Sequence, residues 1–322
     1  MAKHKAAASQ RGRQADRPSQ IPGPGWKDIL KRSKEEMNHD NVSMVAAGIA
    51  FYGLLALVPA IVATISLWAI VFDPHEITQQ ISSISHLLPE EAADIIRQQA
   101  NQASQDAGTG MSLAAAGGLL FAIYSASRGI DGFMVGLNIV YDEEESRGML
   151  KRTALKLLLT IGAILMTVVT LGVITAIPAI VNMLGLPDLI GTLVNLARWP
   201  LLMIIVMLAL AVLYRYAPDR DKPRWQWISV GSVTAVLLWI VGSIGFSIYV
   251  RNFASYNETY GSLGAVVILL MWFWLSAFIV LMGAELNSEM EHQTKRDTTV
   301  GDKEPIGERN AYVADTVGES RK

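Results

Sequence analysis

The sequence predicts an all-α polytopic membrane protein: a bundle of six transmembrane helices with a small helical extracytoplasmic cap and disordered termini. Three observations carry that reading. The chain of 322 residues is 51% hydrophobic and only 17% charged, against about 25% charged for soluble domains. Its apolar residues fall in long blocks, such as the 20 residues from Gly264 to Gly283 that carry no charge. A helix of that length covers about 30 Å, the thickness of a bilayer's hydrocarbon core. The basic residues are also segregated. With six spans, 23 of the 27 Lys and Arg fall on the side that holds both termini, which makes that side cytoplasmic.

Taken in order, residues 1–25 are rich in Lys, Arg, Ser, Gln and Pro and end in IPGPG, a composition that predicts a disordered basic tail with a turn-rich hinge. No apolar core follows early enough for a signal peptide. Residues 26–39 predict a short amphipathic helix. Trp26, Ile29, Leu30 and Met37 share one face, suited either to the membrane interface or to capping the bundle. The transmembrane domain then occupies 40–290. Its first span, 42–72, is too long to cross untilted, and Gly53 and Pro59 mark where a break or a plain kink would fall, the kink being favoured. Residues 73–110 are polar and acidic and predict the outer helical cap. The second span, 111–140, opens with small residues, Ala114 to Gly118, that permit close helix contact. Spans at 157–186, with Pro178 near its end, at 199–216, at 225–250, with Gly242 and Gly245 as a packing face, and at 262–287 complete the set. Residues 291–322 lack periodicity and predict a disordered tail.

Ionisable residues inside spans are the chemically informative ones, because an unpaired charge there costs about 2.5–3.5 kcal/mol or more. Arg128 and Asp131 lie three apart in span two and share a helix face, and Glu285 lies low in span six. The expectation is an intramembrane polar site in which Arg128 faces the bundle interior within reach of Asp131 or Glu285. Asn138 and Asn287 would support it. Two readings stay open: a fixed ion-pair network, or a site for a substrate headgroup. An outer polar cluster, Tyr256, Asn257, Glu258 and Tyr260, precedes span six.

Zero cysteines exclude disulfides, thiolate metal sites and cysteine nucleophiles. The five histidines, His4, His39, His75, His86 and His292, lie in the tails and the outer cap and read as lacking metal-ligand spacing. The sequence therefore predicts no metal, no cofactor and no enzyme. A basic arm beside a membrane meets anionic lipid, so the predicted partners are membrane lipids and a lipid or amphiphile substrate, with no nucleic acid. Oligomeric state, driving ion and direction have no sequence signal.

The stretches AAGIAFYGLLALVPA, SRGIDGFMVGLNIVY, LYRYAPD and SYNETYGSLGAVVILLMWFWLSAFIVLMGAELN resemble, in that order and across residues 40 to 290, the YihY/BrkB family of bacterial inner-membrane proteins. The resemblance implies six helices in the cytoplasmic membrane and a role in moving a lipid or other amphiphile or in supporting envelope integrity. A non-transporting scaffold is the alternative. The family has also carried a ribonuclease label, which the residues do not favour: hydrolysis needs a positioned acid–base pair or metal ligands, and neither is evident.

Overall fold

The structure, a computed structural model, describes residues 11–71, 113–184, 187–252 and 262–320. After a 3-10 turn at Pro18–Gln20, the helices are α1 (Gly23–His39), α2 (Val42–Val71), α3 (Leu113–Val140), α4 (Met149–Met183), α5 (Asp188–Tyr216), α6 (Trp225–Asn252), α7 (Ser262–Glu291) and a short α8 (Tyr312–Asp315). Among the described residues there is no strand, only an isolated bridge between Pro223 and Thr299. Among the described residues four helices are long and apolar enough to cross a membrane: α4, α5, α6 and α7. A fifth span arises if α1 and the start of α2, bent by 61° at their junction, count as one. The predicted outer cap lies outside the described residues.

Several boundaries move. Helix α5 begins at Asp188 rather than near 199, because Pro200 is accepted inside the helix. Helix α4 begins at Met149, so the charged stretch with Lys151, Arg152 and Lys156 is helical rather than loop. Helix α2 runs unbroken through Gly53 and Pro59, and α4 runs past Pro178. A proline costs a helix one backbone bond, which a long apolar helix tolerates.

The chain divides into two compact units. Unit one comprises Met1–Phe51, Asp131–Thr153 and Met207–Lys322. It is organised by α7, which packs on α6, α1 and α8. The α6–α7 crossing is close because glycine faces glycine. A Cβ on Gly231 would overlap the Gly283 carbonyl oxygen, and one on Gly283 would lie 2.8 Å from the Gly231 oxygen and 2.7 Å from the Tyr214 hydroxyl. Asn287 ties the crossing by accepting from the Gly231 N–H at 2.8 Å and donating to the Ile228 carbonyl at 3.3 Å. The Tyr214 hydroxyl donates to the Val280 carbonyl at 2.7 Å. The expected small-residue faces are met in part. Gly242 does pack on α7, an added Cβ meeting Ile279 at 3.1 Å and Leu275 at 3.6 Å, whereas Gly245, Gly117 and Gly118 have nothing among the described residues within reach, and Gly136 packs on Val45, Ile49 and Leu281.

The tails correct the expectation of disorder over 1–25 and 291–322. Residues 11–22 and 291–320 are described and folded. Ala15, Ile21, Ile29, Trp227, Leu286 and Met290 form one apolar cluster. The Arg11 guanidinium pairs with Asp28 at 2.6 Å, Lys295 N–H donates to the Arg13 carbonyl, and Thr294 donates to the Ala15 carbonyl at 2.7 Å. Each tail alone is too polar to bury a core, and each completes the other against α1 and α7. Helix α1 thus caps the bundle end in this unit: it buries Asp28, Ile29, Arg32 and Ser33, while Leu30 stays exposed.

Unit two comprises Tyr52–Ile130 and Ala154–Val206. Its core cluster is Ala63, Ala122, Ile123 and Ile164, with Leu119 and Leu157 against it. Small residues let these helices approach closely, as expected where lipid supplies no hydrophobic drive between helices.

Candidate functional site

The polar chemistry of unit one gathers where the loop 141–148, the loop 217–224 and the tail after Glu291 meet. Three networks form there. In the first, Asp131 accepts from Arg152 at 3.1 Å, and Arg152 lies 3.7 Å from Glu145. Arg147 then pairs with Glu145 at 2.6 Å and with Asp219 at 3.4 Å. Asp219 accepts from the Ser146 backbone and hydroxyl, both at 2.6 Å, and its own N–H donates to Asn138 Oδ1 at 2.8 Å. These donors hold the Asp219 carboxyl below its ordinary range despite partial burial. The loop YDEEESRG is therefore a folded clamp on YRYAPD.

In the second network, Arg220 and Glu291 form a fully buried ion pair at 2.7 Å. The Thr298 hydroxyl also donates to Glu291, at 2.6 Å, and the Arg220 guanidinium lies 4.9 Å from the Tyr141 ring centroid. Burial pushes the Tyr141 phenol well above its ordinary range, and Glu291 adds to the push. In the third, the buried pair Arg32–Glu289 joins α1 to α7, and Arg32 Nη1 donates to the Glu319 carbonyl at 3.0 Å. Glu143, whose nearby charges include Arg220, accepts from the Tyr312 N–H at 2.8 Å, and burial raises its carboxyl to about 7.

Within unit one, four of the predicted polar residues are placed. Asp131 takes Arg152 as partner, and Asn138 and Asn287 brace the loop clamp and the helix crossing. Glu285 is 1% exposed, with Oε2 lacking a hydrogen-bond partner among the described residues. Arg128 belongs to unit two and is exposed. It shares a face of α3 with the exposed Tyr124, four residues earlier, and the Lys156 ammonium lies 5.8 Å from that ring's centroid. Among its described residues unit two has no Glu and one Asp, Asp188. The outer cluster Tyr256, Asn257, Glu258 and Tyr260 lies outside the described residues.

Sequence reading also missed a group. Glu36, His39 and Asp40 bring one ligand atom each within 4.8 Å of one another, which corrects the reading that no histidine has metal-ligand spacing. The local signal is Glu-x-x-His-Asp at the end of a helix, where i, i+3 and i+4 share a face. Arg152, 21 residues from Asp131, left no such signal.

Known proteins give a consistent placement. The family model described as Virulence factor BrkB matches residues 33–306. The ribonuclease-like protein YfkH of Bacillus subtilis is 28% identical over 78% of this chain and 90% of its own length. A UPF0761 membrane protein of Vibrio cholerae is 29% identical over 80% of this chain and 85% of its own length. Another, from Paraburkholderia xenovorans, is 25% identical over 82% of this chain and 61% of its own length. No solved structure matches the chain. The matched residues run from the second half of α1 through all of α7 and into the tail that folds back on them, so the chain belongs to the BrkB virulence-factor family of membrane proteins.

Proposed function

We propose that this protein crosses the bacterial cytoplasmic membrane six times, α2 to α7 being the spans, with both termini in the cytoplasm, and that it moves an anionic lipid or other amphiphile. The observation that carries this reading is the exposed Arg128. It sits 15 residues, or roughly 22 Å, along α3 from Leu113, and the acid three residues further on, Asp131, is engaged by Arg152. A guanidinium at that depth needs an anion, and a phosphate headgroup supplies one with matching fork geometry. Tyr124 and Lys156 add an aromatic face and a second cation beside it.

RNA hydrolysis, which the name of the Bacillus relative brings to mind, fits less well. The side chains that would meet a phosphate, Arg128, Tyr124 and Lys156, include no acid or histidine to serve as a general base. An envelope scaffold is the remaining alternative, favoured by the interlocked tails of unit one.

Purified protein in liposomes containing dye-labelled phosphatidylglycerol tests the proposal. The protein should expose inner-leaflet dye to a membrane-impermeant quencher faster than empty liposomes do. Arg128→Gln and Lys156→Gln should each slow that step about tenfold, the worth of one charged hydrogen bond. Lipid that stays in its leaflet would reject movement and leave the scaffold. Movement at wild-type rate in both variants would remove Arg128 from the mechanism.

A further inference from the structure

The junction of α1 and α2 is a built elbow. Helix α1 ends at His39, Asp40 closes it, Asn41 takes the left-handed conformation with φ of 51°, and α2 leaves at a bend of 61°. On that elbow His39 Nδ1 lies 3.3 Å from Asp40 Oδ1 and 3.8 Å from Glu36 Oε2. Ligand atoms around a tetrahedral dication with bonds of 2.0–2.2 Å stand about 3.3 Å apart, so the three need only a small inward closure to bind one. His39 is 81% exposed at its side chain, which leaves a path for a cation to enter.

The surroundings are short of positive charge. Among the described residues, Glu36, Asp40, Asp142 and Glu285 have no Lys or Arg ion-pair partner, while Glu289 is taken by Arg32. Glu285 is an independent observation. It is buried to 1% exposure, its Oε2 has no hydrogen-bond partner among the described residues, and Glu289, Asp40, Glu36 and Asp142 are acids whose charges reach it. Asp142 in turn feels Asp40, His292, His39 and Glu289. A buried carboxylate with acids nearby and one oxygen without a donor among the described residues favours a cation in their midst.

We infer that the elbow binds one transition-metal dication through Glu36, His39 and Asp40, with Asp142 and Glu285 supplying negative charge around it. The imidazole nitrogen at the centre of the set selects the manganese-to-zinc class over magnesium and calcium, which prefer oxygen donors alone. The ion would fix the angle between α1 and α2. It is independent of lipid movement, and its test involves none.

The test uses tag-free full-length protein in detergent, washed with chelator and titrated with Mn²⁺ while the paramagnetic resonance signal of free aqueous Mn²⁺ is followed. The expected result is saturable uptake of one ion per chain, displaced by Zn²⁺ and not by an equal concentration of Mg²⁺. His39→Ala and the double variant Glu36→Gln/Asp40→Asn should weaken uptake at least tenfold, and Glu285→Gln less than that. His39 is exposed, so the metal-free melting temperature of His39→Ala should match that of wild type, while added Zn²⁺ should raise only the wild-type value. Absence of saturable Mn²⁺ and Zn²⁺ uptake would overturn the inference. Saturable uptake undiminished in His39→Ala would overturn it as well, by placing the ion elsewhere.

Discussion

Two ion pairs in unit one are built on opposite terms. Arg220 and Glu291 are both 0% exposed at the side chain, whereas Arg152 and Asp131 are 34% and 29% exposed. The buried pair is surrounded by partners that complete it: Thr298 donates to Glu291, and the Tyr141 ring lies beside the guanidinium. The exposed pair shares its arginine with Glu145 at 3.7 Å and keeps water as a competitor. Two charges taken out of water repay the cost only when geometry and extra hydrogen bonds are good. The difference teaches that the buried pair locks the tail to the loop, while the exposed pair tunes a helix end that already holds.

The largest effect should come from breaking the buried pair on one side. Arg220→Met leaves Glu291 without a cation and should cost about 3–5 kcal/mol, read as a fall in the unfolding midpoint in detergent. The double variant Arg220→Met/Glu291→Leu should recover most of that loss, since an apolar pair of similar volume needs no counter-charge. If the single and double variants fall equally, the pair is not what holds this junction and the contrast collapses.

Little of that junction was legible in the sequence, and the reason is physical. The helices declare themselves locally: an uncharged run such as Gly264 to Gly283 is compatible with few structures other than a membrane helix. The tails do not, because their buried groups are polar and find partners far away in sequence. Arg13 donates to the carbonyl of Gln293, 280 residues on, and no window of composition contains both. Glycines behaved in the same way. Of the pair Gly242 and Gly245, read as a packing face by spacing, Gly242 does meet Ile279 and Leu275 of α7, yet the tightest crossing is made by Gly231 and Gly283, chosen by where α6 meets α7. Glu285 was recognised as an intramembrane acid, but the acids whose charges reach it within unit one, Glu289, Asp40, Glu36 and Asp142, left no local signal. The elbow ligands were the opposite case, locally spaced and overlooked because they sit just before the first apolar run.

A middle-sized effect should follow pH through Glu143, which lies between Asp131 and Arg152 in sequence and clamps the Tyr312 N–H. Burial raises its carboxyl from 4.5 to about 7, with Asp219 and Asp142 adding to the rise and the Tyr312 N–H and Arg220 opposing it. The folded form therefore binds a proton more tightly than the unfolded form. This contribution is fully present below about pH 4.5 and is lost as pH rises through 7. Discounted for its partial exposure, it is roughly 1 kcal/mol. Glu143→Gln keeps an acceptor for Tyr312 and removes the charge, so the melting temperature of that variant should decline less than that of wild type between pH 5 and pH 8. Parallel profiles would show that Glu143 titrates as an ordinary surface acid.

The smallest effect belongs to the exposed pair. Arg152→Gln removes the partner of Asp131 at 3.1 Å, but both side chains reach solvent, so the carboxylate can be hydrated where it stands. Exposed pairs of this kind are worth about 0.2–1 kcal/mol and are screened by salt. The variant should lose no more than that at low ionic strength, and the difference from wild type should shrink further at 1 M salt, where the Debye length is about 3 Å. The comparable change at Arg220 should be nearly insensitive to salt, because counter-ions do not reach a pair with no exposed surface. Salt thus separates the two pairs more cleanly than either midpoint alone. A loss at Arg152 as large as that at Arg220 would mean that Asp131, Arg152, Glu145, Arg147 and Asp219 act as one cooperative network. In that case exposure measured side chain by side chain would be the wrong guide to this end of the molecule.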